Sequence, residues 1–461
     1  MMYTINRFRP RAARHWSILG LVVISSISVL AFSEANAAEP DDYRWSAAPS
    51  EAQLNALTIR DAILRAFSRN PQIAQAAAQI EVGQANLSAA ESAWFPQVSL
   101  QGGAGRSHQT DSAGSLNNNG SVGMNLQQLL YDFGKTSGSI DEQNNLTAAY
   151  TYQMYSTMNA VGQQTLQNYL QVKRYQELAQ ASMRNLLSLQ KVRDMAQMRA
   201  DAGLSSQSDV LQASSRIAAM NATYEQYQSQ VRSSQAALAA LTGAISDNLP
   251  DVPQSLLKQE MKQTLSYQQN NAVRSAQAKQ QAAAQRVEQA KAQRWPTVSV
   301  QAGRTRYSYN TGNYWDDQIQ LVVNAPIYQG GALNAKIDAA EGERRAAQAE
   351  VEANKLDINQ KAATAYADMY GAGQRQMAGK AQQTSAEQTR GVYQDEYKLS
   401  KRSLNDLLSV EQDVMQADVA EIGARYDAWD AAVRYAGAAD NLLDMLGIVR
   451  HKAEDDALPA L

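Results

Sequence analysis

The feature that most constrains this chain is that it is written twice. Trp94-Phe95-Pro96-Gln97-Val98-Ser99-Leu100 is answered by Arg294-Trp295-Pro296-Thr297-Val298-Ser299-Val300 at an offset of 200. Tyr131-Asp132-Phe133-Gly134 is answered by Tyr328-Gln329-Gly330-Gly331, and Ser208-Asp209-Val210-Leu211 by Asn405-Asp406-Leu407-Leu408, both at 197. Three matches in one order at nearly one offset indicate a tandem duplication, so the two halves must share one fold. Each half reads as a helix, two short strands and two long helices. The repeats are placed at 58–242 and 262–447, with a linker at 243–261 where Pro250 and Pro253 break the helical pattern. A poorly defined segment, 38–57, precedes them, and a tail, 448–461, follows.

Residues 76–93 are rich in Ala, Gln and Glu and favour helix up to Pro96. Residues 97–106 alternate, with Val98, Leu100, Gly102 and Ala104 on one face. After a turn-rich stretch over 111–120, Val122, Met124 and Leu126 resume the alternation up to Tyr131. The second half repeats this with Val298, Val300 and Ala302, a loop at 310–313, then Ile319, Leu321 and Val323. Residues 134–201 and 332–398 contain no proline, and as continuous helix each would run roughly 100 Å at about 1.5 Å per residue. Val210, Ala213, Ile217, Met220, Tyr224, Tyr227, Val231, Ser234, Leu238 and Leu241 step by three and four, a coiled-coil seam. The equivalent helix carries two seams, one through Leu407, Val410, Val414 and Ala417, the other through Met415, Val419, Ile422, Tyr426, Trp429 and Val433. Two seams imply neighbours on both sides, as in a closed ring of helices, although an antiparallel bundle with a broad apolar face has the same signature.

Four alternating strands of about ten residues match the length of strands that cross a membrane in a barrel. Aromatic residues near their ends, Trp94, Phe95, Tyr131, Trp295, Trp315 and Tyr328 among them, suit the boundary between lipid and water. The competing reading is a pair of hairpins in water, packed on the helices. In hydrocarbon an open sheet edge leaves backbone amides unsatisfied, so four strands must be pooled between copies. Two copies would supply eight strands and a filled interior, whereas three supply twelve and leave an aqueous lumen. A homotrimer is expected on that ground.

Arg7, Arg9, Arg11 and Arg14 precede an apolar run from Ile18 to Phe32, and Ala35-Asn36-Ala37 then offers a small-residue cleavage pattern, so residues 1–37 read as a secretory signal. A single membrane anchor is the alternative, but the run is short for a span. The chain has no cysteine, which excludes thiolate catalysis, zinc ribbons, iron-sulfur clusters and an acylated N-terminal cysteine. His15, His108 and His451 are isolated, and no metal or cofactor is expected. With 42 basic against 45 acidic residues and no basic stripe, nucleic acid is not an expected partner. Asp132-Phe133-Gly134 spells a kinase signature without its accompanying loops, and no phosphate-binding GxxxxGK[ST] occurs, so the chain is expected to be no enzyme and to draw energy from a partner.

The secretory signal, the duplication, the x-Pro-x-Val/Leu after a helix in both halves and Tyr131-Asp132-Phe133-Gly134-Lys135 at a strand-to-helix turn together resemble the TolC family of outer-membrane exit ducts, over roughly residues 55–450. The resemblance implies a mainly α fold with a small β part: a long α-helical barrel in the periplasm continuing a membrane β-barrel, four strands per protomer and twelve in the trimer. It also implies a periplasmic adapter, an inner-membrane ABC transporter or efflux pump, outer-membrane lipid and an exported protein cargo as partners.

Residues 202–211 resemble the family's helix-to-helix turn at the periplasmic tip, and residues 397–408 are the counterpart. Carried over by position, Asp406 falls on a constricting ring of carboxylates that would favour cations, and Tyr397 and Arg402 fall where partners of Asp209 and Ser208 are expected. Gly203, Leu204, Ser205, Ser400 and Lys401 fall on the tips that dock the adapter. Ser400 stands where the family often has glycine, and Ser409 where a second ring carboxylate can occur, which weakens the expected selectivity. The alternative for Arg402 and Asp406 is a solvated charge at a helix tip, and for Asp209 a helix N-cap. The expected role is a passive duct for type I protein secretion, most similar to ducts for large surface adhesins. Small-molecule efflux through the same architecture, and a periplasmic coiled-coil scaffold with no channel, are the alternatives.

Overall fold

A computed structural model describes residues 52–108, 116–252, 257, 267–309 and 312–448. The expected signal at 1–37, most of the segment before 58, parts of the linker and the tail beyond 448 lie outside the described residues, as do two loop stretches, 109–115 and 310–311. In chain order the elements are β1 (Ala52–Gln53), α1 (Ile59–Arg69), α2 (Pro71–Glu91), β2 (Gln97–His108), β3 (Leu116–Tyr131), α3 (Lys135–Asp201), α4 (Gln207–Thr242), β4 (Ala244–Ile245), α5 (Asn271–Ala292), β5 (Thr297–Tyr309), β6 (Gly312–Asn324), α6 (Ala332–Lys398), α7 (Leu404–Ala438) and α8 (Leu442–Met445).

The two proline-free stretches are single helices of 67 residues each, about 100 Å long. α2 and α5 pack along the halves of α3 and α6 nearer the sheet, where Gly138 of α3 lies against Gln289 and Arg286 pairs with both Glu142 and Glu343. α4 and α7 pack along the far halves. Both α2 and α5 start on an asparagine cap, Asn70 and Asn270, whose side chains accept the orphan amides of the first turn. The helix expected over 76–93 is thus longer, starts at Pro71 and ends before a short 3₁₀ turn at Ser92–Trp94; α1, capped by Thr58, precedes it as a separate helix.

The seams hold. Every seam residue of α4 is buried or half-buried against α3. α7, with its two seams, lies between α3 and α6. The helices therefore form an arc in the order α4, α3, α7, α6 in the far half and α2, α3, α5, α6 near the sheet. At mid-length β1 pairs in parallel with β4, and the stretch after β4 is laid on α3, with the Tyr169 hydroxyl donating to Pro250 O at 2.6 Å and Lys173 to Leu249 O at 3.0 Å. Leu57, Phe67, Met158, Tyr169, Leu442 and Leu443 fill the core there.

The duplication is sharpest where the backbone turns left-handed. Phe133, Ser400 and Asp440 are the non-glycine residues with positive φ among the described residues, and each stands 197 positions from a positive-φ glycine: Gly330, Gly203 and Gly243. Gly134 and Gly331 form a fourth pair at the same offset. The same turns are built twice, glycine supplying the conformation without penalty in one half. In the other half a side chain finds compensation. Asp440 accepts from the backbone and side-chain nitrogens of Asn271, both at 2.7 Å, whereas a side chain at Gly243 would collide with Arg69.

The four long strands form one antiparallel sheet in the order β2-β3-β5-β6. They are longer than the ten residues expected, 12, 16, 13 and 13. The largest departure is at β3, which begins at Leu116, so residues 116–120, expected in a turn, are strand. Their Asn and Gly content reads as turn, but pairing with β2 along the whole stretch, and with β5 as well at Asn119 and Gly120, overrides local preference. The alternation survives in full: Val98, Leu100, Val122, Met124, Ile319, Leu321 and Val323 share one face and are exposed, Leu100 by 78% and Ile319 by 83%. The opposite face carries Ser99, Gln101, Asn125, Gln301 and Gln320.

Candidate functional site

The two tips, where α3 turns into α4 and α6 into α7, are built on one plan. The amides of Ala202, Gly203 and Leu204 donate to Met198, Ala200 and Arg199 carbonyls, and those of Leu399, Ser400 and Lys401 donate to Asp395, Tyr397 and Glu396 carbonyls, each bond repeated at an offset of 197. This is the closure of a helix C-terminus by a left-handed residue. Ser400 takes the part of Gly203. Leu204, Ser400 and Lys401 are exposed, and a side chain at Gly203 would meet nothing within 4 Å. Ser205 is half-buried, its hydroxyl donating to Ala196 O at 3.4 Å.

α7 begins with a capping box. The Ser403 hydroxyl accepts from Asp406 N at 3.2 Å, and the Asp406 carboxylate accepts from Ser403 N at 3.2 Å. Hydrogen bonds from Ser403, side chain first, hold the Asp406 carboxyl below its ordinary value, with Arg402 adding to the effect, so an exposed negative charge is fixed at this tip. In α4 the cap position belongs to Ser206, not to Asp209, which stands third in the helix. Ser208 bonds Ser206 through their hydroxyls. Arg402 pairs within the chain with Glu396 at 2.8 Å and lies over the Tyr393 ring at 4.3 Å. Tyr397 is buried under the Arg199 guanidinium, 4.9 Å from its ring, and burial pushes its phenol up, Arg199 opposing and Asp209 adding to the shift. The structure thus brings Tyr397 near Asp209 and gives Arg402 a different carboxylate in the isolated chain.

Two residues that sequence reasoning missed organise this end. Arg199, in the last turn of α3, donates to Tyr397 O at 2.9 Å and to the Ser400 hydroxyl at 3.0 Å, so a cation closes the C-terminus of α6. Glu411 of α7 is fully buried, accepting from Ser188 at 2.6 Å and Gln394 at 3.2 Å, with Asn185 donating to its backbone carbonyl and Arg390 3.9 Å away. Burial raises its carboxyl above the usual range against those bonds. The signal was its place four residues before Met415, on the second seam.

At the other end, Trp94, Phe95, Tyr131, Trp295 and Tyr328 are exposed where the sheet meets the helices. Phe133 stacks on Trp295 at 5.6 Å and meets Tyr131 edge-on at 4.7 Å, which accounts for its tolerance of positive φ. Lys135 ties the halves together by donating to Trp295 O at 2.8 Å and the Thr297 hydroxyl at 2.7 Å. Trp315 lies on the apolar face near the far end. Tyr307, Tyr309 and Tyr314 stack with one another on the polar face, and so are not at the lipid boundary. No helix among the described residues is long and apolar enough to cross a membrane.

An amphipathic strand sheet at one end of two 100 Å helices, with an outward apolar band and a polar inner face, defines an outer-membrane channel whose helices extend into the periplasm. The comparisons agree. A profile described as outer membrane efflux protein matches residues 62–244 and 264–439, and the chain belongs to that family. It is 23% identical over 417 residues to outer membrane efflux protein BepC of Brucella suis biovar 1 (strain 1330), covering 86% of this chain and 89% of that one. It is 26% identical over 346 residues to protein CyaE of Bordetella pertussis, covering 70% and 72%. Among solved structures it resembles the outer membrane protein VceC of Vibrio cholerae at 18% identity and a TM-score of 0.70, covering 83% of this chain and 96% of VceC. The chain is therefore a TolC-like outer-membrane channel and not an enzyme.

Proposed function

We propose that three copies close head to tail into one conduit, a twelve-stranded barrel in the outer membrane continued by a helical barrel through the periplasm, and that this conduit is the exit duct of a type I secretion system. The observation that carries the reading is that both layers are unclosed arcs. The sheet ends on β2 and β6, each hydrogen-bonded on one side only within the chain, and the helical arc ends on α4 and α6. Two different ends at each level call for a heterologous contact, and such contacts close as a ring when the rotation from one copy to the next divides a full turn. α6 leaves Leu356, Tyr366, Tyr370 and Met377 exposed along its length, apolar surface suited to the next copy.

An inner-membrane ABC transporter would feed polypeptide through a periplasmic adapter docked on the tips at Gly203, Leu204, Ser205, Ser400 and Lys401. The inner face of the sheet supports a protein cargo, since scattered Ser, Gln and Asn side chains can bond a passing chain without holding it. The gate would be a ring of Asp406, with Arg402 exchanging Glu396 for Asp209 and Ser208 of the neighbouring copy, and with Tyr397 beside Asp209. Partly exposed pairs of this kind are weak enough to be exchanged on opening. A second reading, small-molecule efflux, is favoured by the relative from Brucella suis, whose name describes an efflux protein. The two separate in a strain lacking this gene. Loss of one large secreted or surface protein establishes secretion, whereas an unchanged protein profile with increased sensitivity to dyes and detergents overturns it in favour of efflux.

A further inference from the structure

The four long strands contain three arginines and no lysine, and the register puts all three arginines on one face. Along β2 the lipid-facing positions run Val98, Leu100, Gly102, Ala104, then Arg106. Along β5 they run Val298, Val300, Ala302, then Arg304 and Arg306. β6, paired to β5, places Asp317 opposite Arg304 and Trp315 opposite Arg306, immediately beyond Ile319. In each strand the arginine is the first outward residue past the apolar band, on the side away from the helices and hence toward the cell exterior. A cation here avoids the hydrocarbon midplane, where it costs about 2–4 kcal/mol, and reaches the headgroup level, where the penalty falls to near zero.

The side chains form a defined group. The Trp315 ring lies 4.7 Å from the Arg304 guanidinium and 5.9 Å from that of Arg306, so both cations flank one indole. Arg304 also pairs with Asp317 at 3.3 Å. No carboxylate among the described residues pairs with Arg306, which leaves its planar fork open on a surface whose neighbouring strand offers Val122. A guanidinium fork beside apolar surface is suited to a phosphate ester that carries acyl chains, the chains lying on the band and the phosphate taking paired N–H bonds.

We propose that Arg304, Arg306 and Trp315 form a binding site for the phosphorylated headgroup of a lipid in the external leaflet. The inference needs only that the apolar face meets lipid, and it is independent of the cargo.

The test uses the full-length oligomer purified in mild detergent and two probes with the same acyl chains, bisphosphorylated lipid A and its dephosphorylated form, with bound lipid counted by native mass spectrometry. The wild type is expected to retain the bisphosphorylated form about tenfold better. Arg304→Gln with Arg306→Gln should abolish that preference, and Arg304→Lys with Arg306→Lys should keep part of it. Equal retention of the two lipids by the wild type, or an undiminished preference in the glutamine variant, overturns the proposal. A heat-modifiable band on a denaturing gel verifies that each variant is assembled. Should the double variant fail to assemble, Arg306→Gln alone, which breaks no ion pair, answers the same question.

Discussion

Ser400 shows how a single residue is held in a conformation its repeat assigns to glycine. Its φ is +61°, an arrangement costing roughly 1–2 kcal/mol for a residue with a Cβ, and the bond from Arg199 to its hydroxyl offsets part of that. Ser400→Ala keeps the strain and loses the bond, so it should destabilise by about 1 kcal/mol, whereas Ser400→Gly loses both and should lie within about 0.5 kcal/mol of the wild type. The midpoint of heat dissociation on denaturing gels reads the difference. Glu411 is the other residue whose setting makes a measurable claim. Its folded-state carboxyl is raised by burial, so the folded chain binds the proton more tightly than the unfolded one. The stability this gives is fully present below the ordinary carboxyl range and is lost as pH rises through the folded value. Glu411→Gln should flatten the fall in melting temperature between weakly acid and neutral pH, and Glu411→Ala, which leaves the Ser188 and Gln394 donors unpaired, should cost about 2 kcal/mol at acid pH and less as pH rises. An unchanged pH slope in the glutamine variant would assign that slope elsewhere. Arg199 could not be read from the sequence, because a charged residue on a long polar helix has the same pattern whether it is solvated or buried against a partner helix, and Glu411 was marked only by its place on the second seam, which does not say what pairs with it.

Among the elements, α3 and α6 were legible almost to the residue, because glycine pairs and strand ends bracket them and no proline interrupts them. The seams of α4 and α7 were legible too, and the two seams of α7 meet a neighbour on each side, α3 and α6, although the sequence does not say that both belong to the same chain. The strand bounds were not, since Asn117, Asn118, Asn119 and Gly120 carry turn composition into a paired strand. The two long helices also differ at their starts in a way that the shared turn conceals. Asp132 accepts from Gly134 N at 3.1 Å and Thr136 N at 2.7 Å, placing a carboxylate at the positive end of α3, while Gln329 replaces it before α6. Asp132→Ala should cost about 1–2 kcal/mol and accelerate hydrogen exchange at the first amides of α3, and Gln329→Ala should leave the start of α6 unchanged. Equal effects in the two halves would remove the carboxylate from the account of how α3 begins.

At the scale of the whole molecule, the repeat that shapes each half does not close on itself: the two halves together leave the sheet open, with β2 and β6 each paired on one side only among the described residues, and further copies are what could satisfy those edges. That requirement was legible as a need for pooled strands, but the geometry of the joint was not, since no single chain contains it. The proposed gate belongs to the same scale, because a ring of Asp406 would form only in the assembly. Asp406→Asn keeps an acceptor for the Ser403 amide and removes the charge, so it should leave assembly intact while lowering cation selectivity in planar bilayers by severalfold. Unaltered selectivity would take this residue out of the constriction. The joint itself can be trapped, since the chain has no cysteine to interfere. With Ser99→Cys on β2 and Gln320→Cys on β6, both on the polar face, a bismaleimide of about 10 Å, roughly two strand spacings, should link β2 of one copy to β6 of the next. The doubly substituted protein should then run as a covalent trimer after boiling. Either cysteine alone should give no ladder, because in a head-to-tail ring β2 never meets β2 and β6 never meets β6. A covalent dimer from Ser99→Cys alone would mean that the edges pair like with like, which closes two copies rather than three and leaves no aqueous path through the membrane.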